Sequence, residues 1–277
     1  LALERLWFLV LRWKWAVLAS SIFVQGDWEK LTFQEQARVV RLIGSSRSGC
    51  IWPAPYNEDS AEAAFRFLTE CWWTDNEADQ SIELIPAKAF VWEFVKEWHG
   101  ARGRRQPFII EKVRRMMISW ICRGLETWAM GLSRGSWIII DQNHANAAEH
   151  LWRIDFALNQ LYERRPELKL RRHKVRGAVL IKQPTHLLLA NGSQISQAHQ
   201  EAGAAQGKGK TGVTLEEISK YAAPSAFWGQ ALIVTQGKGG APGGWVCAIA
   251  NASPKADWRA IKGEMDARKF LGLGRGV

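Results

Sequence analysis

The segment "KVRRMMIS", residues 112–119, combines a lysine, two arginines and a hydroxyl within eight positions, directly after the apolar run "PFII". Cations and a hydroxyl at that spacing suit a polyphosphate and its metal. In the phosphate-loop pattern G-x-x-x-x-G-K-[ST], backbone amides surround the phosphates, the lysine neutralises them and the hydroxyl binds Mg²⁺. Laid over this segment, Ser119 takes the hydroxyl position at the start of a helix. Ile118 stands where the lysine belongs, Met117 replaces the second glycine and Lys112 the first. The charge has moved to the head of the loop, with Arg114 and Arg115 behind it. A long cation entering from that end still reaches the outer phosphate oxygens. If position 117 needs positive φ, Met carries a steric cost that Gly avoids. Alone, the segment reads more readily as a basic helix N-terminus packing Met116 and Met117 inward.

Two downstream stretches complete a chemical set. "GVTLEE" ends in Glu216 and Glu217 at the tip of a strand-like run. A phosphate-loop ATPase needs one acid there for the Mg²⁺ shell and a neighbouring carboxylate to polarise the attacking water. Glu216 suits the metal role and Glu217 the base role, although an adjacent Glu pair also suits a solvated turn. "CAIANASP", residues 247–254, ends another apolar run in Asn251, Ala252 and Ser253. A strand end of small polar residues can sense the γ-phosphate; as an isolated string it is only a loop.

Strands and helices must bring these segments together. "PFIIE", "SWIIID", "GAVLIK", "VTLEE" and "GWVCAIA" read as strands. "SWICRGLETWAM", "NHANAAEHLWRIDFALNQLYE" and "DWRAIKGEMDARKFL" read as helices between or after them. "THLLLANGSQISQAH" reads as a hairpin turned at Asn191-Gly192. The alternation predicts an α/β fold with a mostly parallel sheet flanked by helices. Ahead of it, "TFQEQARVVRLI", "SAEAAFRFLTECWW" and "AKAFVWEFVKEW" show apolar residues at helical spacing. The division expected is a helical N-terminal region, 1–58, and an α/β domain, 59–277.

Composition narrows the classes. The chain has 277 residues, 47% apolar and 23% charged, which favours a packed core over disorder. The net charge of +10 favours a polyanionic partner. It concentrates in residues 101–123 and in "ERRPELKLRRHKVR", residues 163–176, where Arg171, Arg172, Lys174 and Arg176 are candidate phosphate contacts; a solvated face is the plainer reading. Cys50, Cys71, Cys122 and Cys247 are scattered without metal-ligand spacing, so neither zinc nor a disulfide framework is expected. His144 and His150 stand six apart, wrong for one helix face, and the six His are read as structural or surface groups. The apolar N-terminus is interrupted by Arg12 and Lys14, and its uninterrupted apolar segments are too short to span a bilayer.

Taken in order, "LIPAKAFVWEFVKEW", "EKVRRMMISW", "SWIIIDQNHANAAEHLW", "NGSQISQAHQEAGAAQGKGKTGVTLEE" and "CAIANASP" resemble the large terminase subunit of tailed bacteriophages, the ATPase that packages DNA into proheads. The resemblance covers roughly residues 60–260. Terminases carry a deviant phosphate loop with its basic residue at the front, so the placement of Lys112 is a shared feature. The fold implied is the additional-strand, RecA-like branch of P-loop NTPases. The ATP-binding segment implied is Lys112, Val113, Arg114, Arg115, Met116, Met117, Ile118, Ser119 and Trp120. Ser119 and Glu216 would hold Mg²⁺, Glu217 would be the catalytic carboxylate, and Asn251, Ala252 and Ser253 the coupling motif. Three positions depart from the family: Glu216 where Asp is usual, Met117 in place of Gly, and lysines in "QGKGKTG" where an arginine is common.

The implied function is an ATP-driven motor that translocates double-stranded DNA, working as a homo-oligomeric ring with a portal protein and a small terminase subunit in the host cytoplasm. Beyond residue 254 only Asp257, Glu264 and Asp266 supply carboxylates, so the family's nuclease domain is not expected here. A degenerate phosphate-loop module that binds DNA or a portal-like partner with little hydrolysis is the alternative reading.

Overall fold

A computed structural model describes residues 49–76, 81–112, 117–168, 179–183, 186–200, 210–236, 243–251, 253 and 255–270. The expected N-terminal helices before residue 49 lie outside the described residues. So do Val113, Arg114, Arg115, Met116, Arg171, Arg172, Lys174, Arg176 and Ala252.

In chain order the elements are α1 (Ala61–Cys71), β1 (Trp73–Asn76), β2 (Ser81–Leu84), α2 (Ala89–Gly103), β3 (Phe108–Lys112), α3 (Ile118–Leu132), β4 (Ser136–Asp141) and α4 (His144–Arg164). Then follow β5 (Val179–Gln183), β6 (His186–Leu189), β7 (Gln194–His199), β8 (Gly212–Glu216), α5 (Pro224–Val234), β9 (Trp245–Asn251) and α6 (Ala256–Phe270). Strands β1 and β2 pair as a separate antiparallel ribbon. The main sheet has the order β3-β9-β8-β4-β7-β6-β5. Every pair from β3 to β7 is parallel, and β6 and β5 extend that edge antiparallel.

Alternation along each strand divides the core into two layers, because successive side chains leave opposite faces of the sheet. Phe108, Ile110, Trp137, Ile139, Cys247 and Ile249 face the helices α1 to α4. Ile109, Ile138, Ile140, Val213, Leu215 and Ala248 face α5 and α6 through Phe227, Trp228, Trp258 and Ile261. The result is a three-layer α/β fold of the expected class. Its additional strand, β9, lies between the strand leading into the phosphate-loop segment and the strand ending in Glu216.

Local signals account for the elements. Ser60 caps α1 by accepting from the Ala63 amide, and Asn143 caps α4 by accepting from Asn146. The hairpin turns where expected: Gly192 has φ +81, and Leu189 and Ser193 close the turn through the Leu189 amide. Two elements differ from the sequence reading. Helix α1 stops at Cys71 and Trp73 starts a strand, although "CWW" continues the apolar helical pattern. Helix α5 was not expected, since it is apolar on nearly every side and shows no amphipathic period. Trp52 and Tyr56, before α1, are buried in the core; Trp52 Nε1 donates to the Trp128 carbonyl and Trp128 Nε1 to that of Tyr56.

The packing reaches the sheet's polar edge through Trp137. Its ring lies across Gly212, where a Cβ would sit 2.4 Å from the ring, and its Nε1 donates to Thr214 Oγ1. Gly212→Ala forces that ring to move. We expect a loss of about 1–3 kcal/mol, the usual cost of overpacking a core, read as a lower urea midpoint; an unchanged midpoint would contradict this packing.

Candidate active site

The parallel register aligns the strand ends. Lys112 closes β3 opposite Asn251 on β9, Glu216 closes β8 opposite Ile249, and Asp141 closes β4 opposite His199 on β7. The sequence-derived residues therefore meet at the carboxyl edge of the sheet, where α/β folds of this kind bind ligands.

Glu216 stands at the centre and is 2% exposed. Ser119 Oγ, from the first turn of α3, donates to its Oε1. Arg123 Nη1, one turn further along α3, lies 3.4 Å from its Oε2. Lys112 Nζ approaches from the third side, 3.9 Å from Glu216 Oε1 and 3.3 Å from Glu217 Oε1. Glu217 follows in a left-handed conformation, φ +54, which turns its side chain back along the strand ends. Asn251 Nδ2 donates to both Glu217 oxygens at 3.1 and 2.9 Å, and Lys220 Nζ lies 3.2 Å from Oε2. Asn251 Oδ1 is buried without a hydrogen-bond partner among the described residues. Ser219 Oγ donates to the Asn251 carbonyl, tying the two strand ends together. Ser253 Oγ accepts from the Lys255 amide.

Met117 precedes α3 with φ 56 and ψ 8. Position 117 does require positive φ, so the chain holds a bulky residue in the left-handed region at the mouth of this helix. Ile118 and Trp120 are buried in the core, where Trp120 packs edge-on to Trp152 and Phe156. What these two can present to a ligand at the helix N-terminus is backbone N–H. Between α2 and β3, Phe90, Phe94, Phe108, Ile110, Lys112 and Ile118 line a cavity of about 410 Å³.

Behind Glu216 lies a buried polar group that the sequence did not disclose. Arg123, counted above within a basic stretch, is 0% exposed and belongs to no surface patch. Its Nε and Nη2 each lie 2.7 Å from an oxygen of Glu126, and its Nη1 lies 3.1 Å from His150 Nδ1. His150 Nε2 in turn lies 2.8 Å from Asp141 Oδ2. Burial opposes the charge on Arg123, but Glu126 and Glu216 outweigh it and strengthen its hold on the proton. Burial raises Glu126 and Asp141 above the ordinary carboxylate range. Burial, with Arg123 beside it, pushes His150 down to about 3, so the ring is neutral at ordinary pH. Sequence spacing holds one weak trace: Arg123 and Glu126 are three apart on a helix, a pairing that usually signals an exposed face.

No group of three or more His, Cys, Asp or Glu side chains among the described residues could cage a metal ion. Ser119 and Glu216 nevertheless offer converging oxygen donors. That set fits Mg²⁺, which characteristically takes one or two protein oxygens and completes its shell with phosphate and water. No helix among the described residues is long and apolar enough to cross a membrane.

No protein-family model matches the sequence, and no curated protein matches it. The fold is similar to that of the HK97 bacteriophage large terminase in its crystal structure, with a TM-score of 0.60 and 14% sequence identity. The alignment covers 78% of this chain and 43% of that one, so the chain spans less than half the length of the solved protein. At this identity the likeness establishes the fold.

The left-handed turn can be tested by stability. Met117→Val places a β-branched side chain at φ 56 and should cost about 1–3 kcal/mol. Met117→Gly should stay within about 1 kcal/mol of the parent, because relief at φ offsets the lost apolar contact. Equal effects of the two substitutions in urea unfolding would contradict the assignment.

Proposed function

We propose that this chain is the ATP-hydrolysing motor domain of a DNA-packaging terminase. One observation carries the reading: Lys112 and Ser119, Glu216 and Glu217, and Asn251 come from three separate segments and converge at the carboxyl edge of one parallel sheet. The likeness of fold to a bacteriophage large terminase supports it independently of those side chains.

In this reading the triphosphate lies over the N-terminus of α3. The helix's unpaired N–H groups and positive end favour an anion there. Lys112 exchanges its carboxylate partners for phosphate oxygens. Ser119 and Glu216 would hold Mg²⁺, which when bound would neutralise the phosphate charge that develops during transfer. The 410 Å³ cavity beside Lys112 and Ile118 takes the nucleobase against its phenylalanine wall. Glu217 orients the attacking water toward the γ-phosphate and accepts its proton. Asn251 holds the Glu217 carboxylate by both oxygens and, lying at the end of β9, would feel loss of the γ-phosphate directly.

DNA would be gripped through its phosphates without base reading, since a motor must accept any sequence. Arg171, Arg172, Lys174 and Arg176 are the proposed contacts. A ring neighbour would supply an arginine to the transition state, and a portal protein and small subunit would be the partners in packaging. A weakly hydrolysing module is the second reading. It is favoured by Ile118, which stands buried where the usual loop lysine would extend.

Turnover of ATP by the chain, with and without double-stranded DNA, tests the proposal. Glu217→Gln should lower kcat by about 10²–10⁴ while nucleotide binding persists. Lys112→Ala should weaken binding itself. Absence of nucleotide binding by the parent would sink the motor reading and leave the module; binding without turnover would point to the missing ring neighbour.

A further inference from the structure

The buried group behind Glu216 meets the proposed nucleotide site through the contact of Arg123 with Glu216, and it is arranged as a directed chain. A guanidinium only donates hydrogen bonds. The contact between Arg123 Nη1 and His150 Nδ1 therefore makes Nδ1 the acceptor and leaves the ring proton on Nε2. That proton is donated to Asp141 Oδ2. Asp141 is held in turn by Asn146 Nδ2 at 3.3 Å and by the Gln142 amide. On the other side, Thr214 Oγ1 donates to Glu126 Oε1 at 2.6 Å, and Glu126 grips two nitrogens of the Arg123 fork. Every link is fixed at both ends, so Arg123 has one orientation. Its remaining direction is toward Glu216 Oε2.

Stability alone explains this poorly. Buried ionic groups are often replaceable by apolar residues of similar volume at no loss. Orientation is what a fully satisfied buried network supplies. We propose that Asp141, His150 and Glu126 are positioning residues: they aim Arg123 at Glu216 Oε2, which leaves Oε1 facing Ser119, Lys112 and the metal. This rests on the ATPase reading above. Asp141 ends β4 and Glu216 ends the neighbouring β8, so the chain also locks these two strand ends together behind the site. The residues lie on three elements, α3, α4 and β4, and their partner Glu216 on a fourth, which makes the metal site sensitive to how α4 sits.

The test is Mg²⁺ dependence of ATP binding by the whole chain, measured by calorimetry with ATP in EDTA and then across a Mg²⁺ series. His150→Phe removes both links of the chain. Asp141→Asn keeps the shape and weakens one, and decides the question if His150→Phe does not fold. Leu158→Ala, in the buried face of α4 but outside the chain, is the control for simple destabilisation. The expected result is a half-saturating Mg²⁺ concentration raised about tenfold to a hundredfold in His150→Phe, less in Asp141→Asn, as when groups behind a metal ligand are removed. Affinity for ATP in EDTA should stay at the parental value. Leu158→Ala should lower the melting temperature and leave the Mg²⁺ midpoint in place. A parental midpoint in both folded variants, or an equal shift in Leu158→Ala, would overturn the proposal. Failure of the parent to bind ATP under any condition would remove the ATPase reading, and this inference with it.

Discussion

A carboxylate that ends a central strand at 2% exposure must be met by donors from other parts of the chain, and Glu216 organises the site through that requirement. An unpaired charge so deep would cost several kcal/mol. Three groups answer it: Ser119 and Arg123 from one helix, and Lys112 from a strand two places away in the sheet. Ser119 and Arg123 can both reach it because they are four apart on α3 and share a face. Lys112 reaches it because β9 separates β3 from β8 and sets the span that a lysine side chain bridges. The strand order and the register of α3 therefore place three donors where this buried charge needs them.

The same region holds two non-glycine residues in the left-handed conformation, Met117 just before α3 and Glu217, itself a partner of Lys112. Each costs of order 1 kcal/mol or more, and such strain gathers at functional sites where the surroundings over-determine the backbone. At Met117 it opens the mouth of α3. At Glu217 it turns the second carboxylate back toward Asn251.

Much of this was legible from the residues. "PFIIE", "SWIIID" and "GWVCAIA" are short apolar runs bounded by turn signals, and each became a buried parallel strand. Asn191-Gly192 turned a hairpin because glycine alone tolerates that φ cheaply. The order of the chemical residues foretold that they would share one sheet edge. Helix α5 was not legible, since apolar residues such as Ala226 and Ile233 also stand on its exposed side and erase the period that marks a helix. Nor was the chain from Asp141 to Glu126. Arg123 and Glu126 look like an exposed helical pair, and His150 is separated from Arg123 by 27 residues. Only the folded sheet shows that these positions face inward behind Glu216.

The central claim is that the Lys112, Ser119, Glu216 and Glu217 cluster is a nucleotide site. The most direct measurement is a crystal structure of the chain with Mg²⁺ and a non-hydrolysable ATP analogue. The account predicts that Lys112 Nζ leaves Glu217 for a phosphate oxygen, that Ser119 and Glu216 stand in the Mg²⁺ shell, and that the γ-phosphate faces Glu217. A nucleotide bound elsewhere, with Lys112 still paired to Glu216 and Glu217, would contradict it.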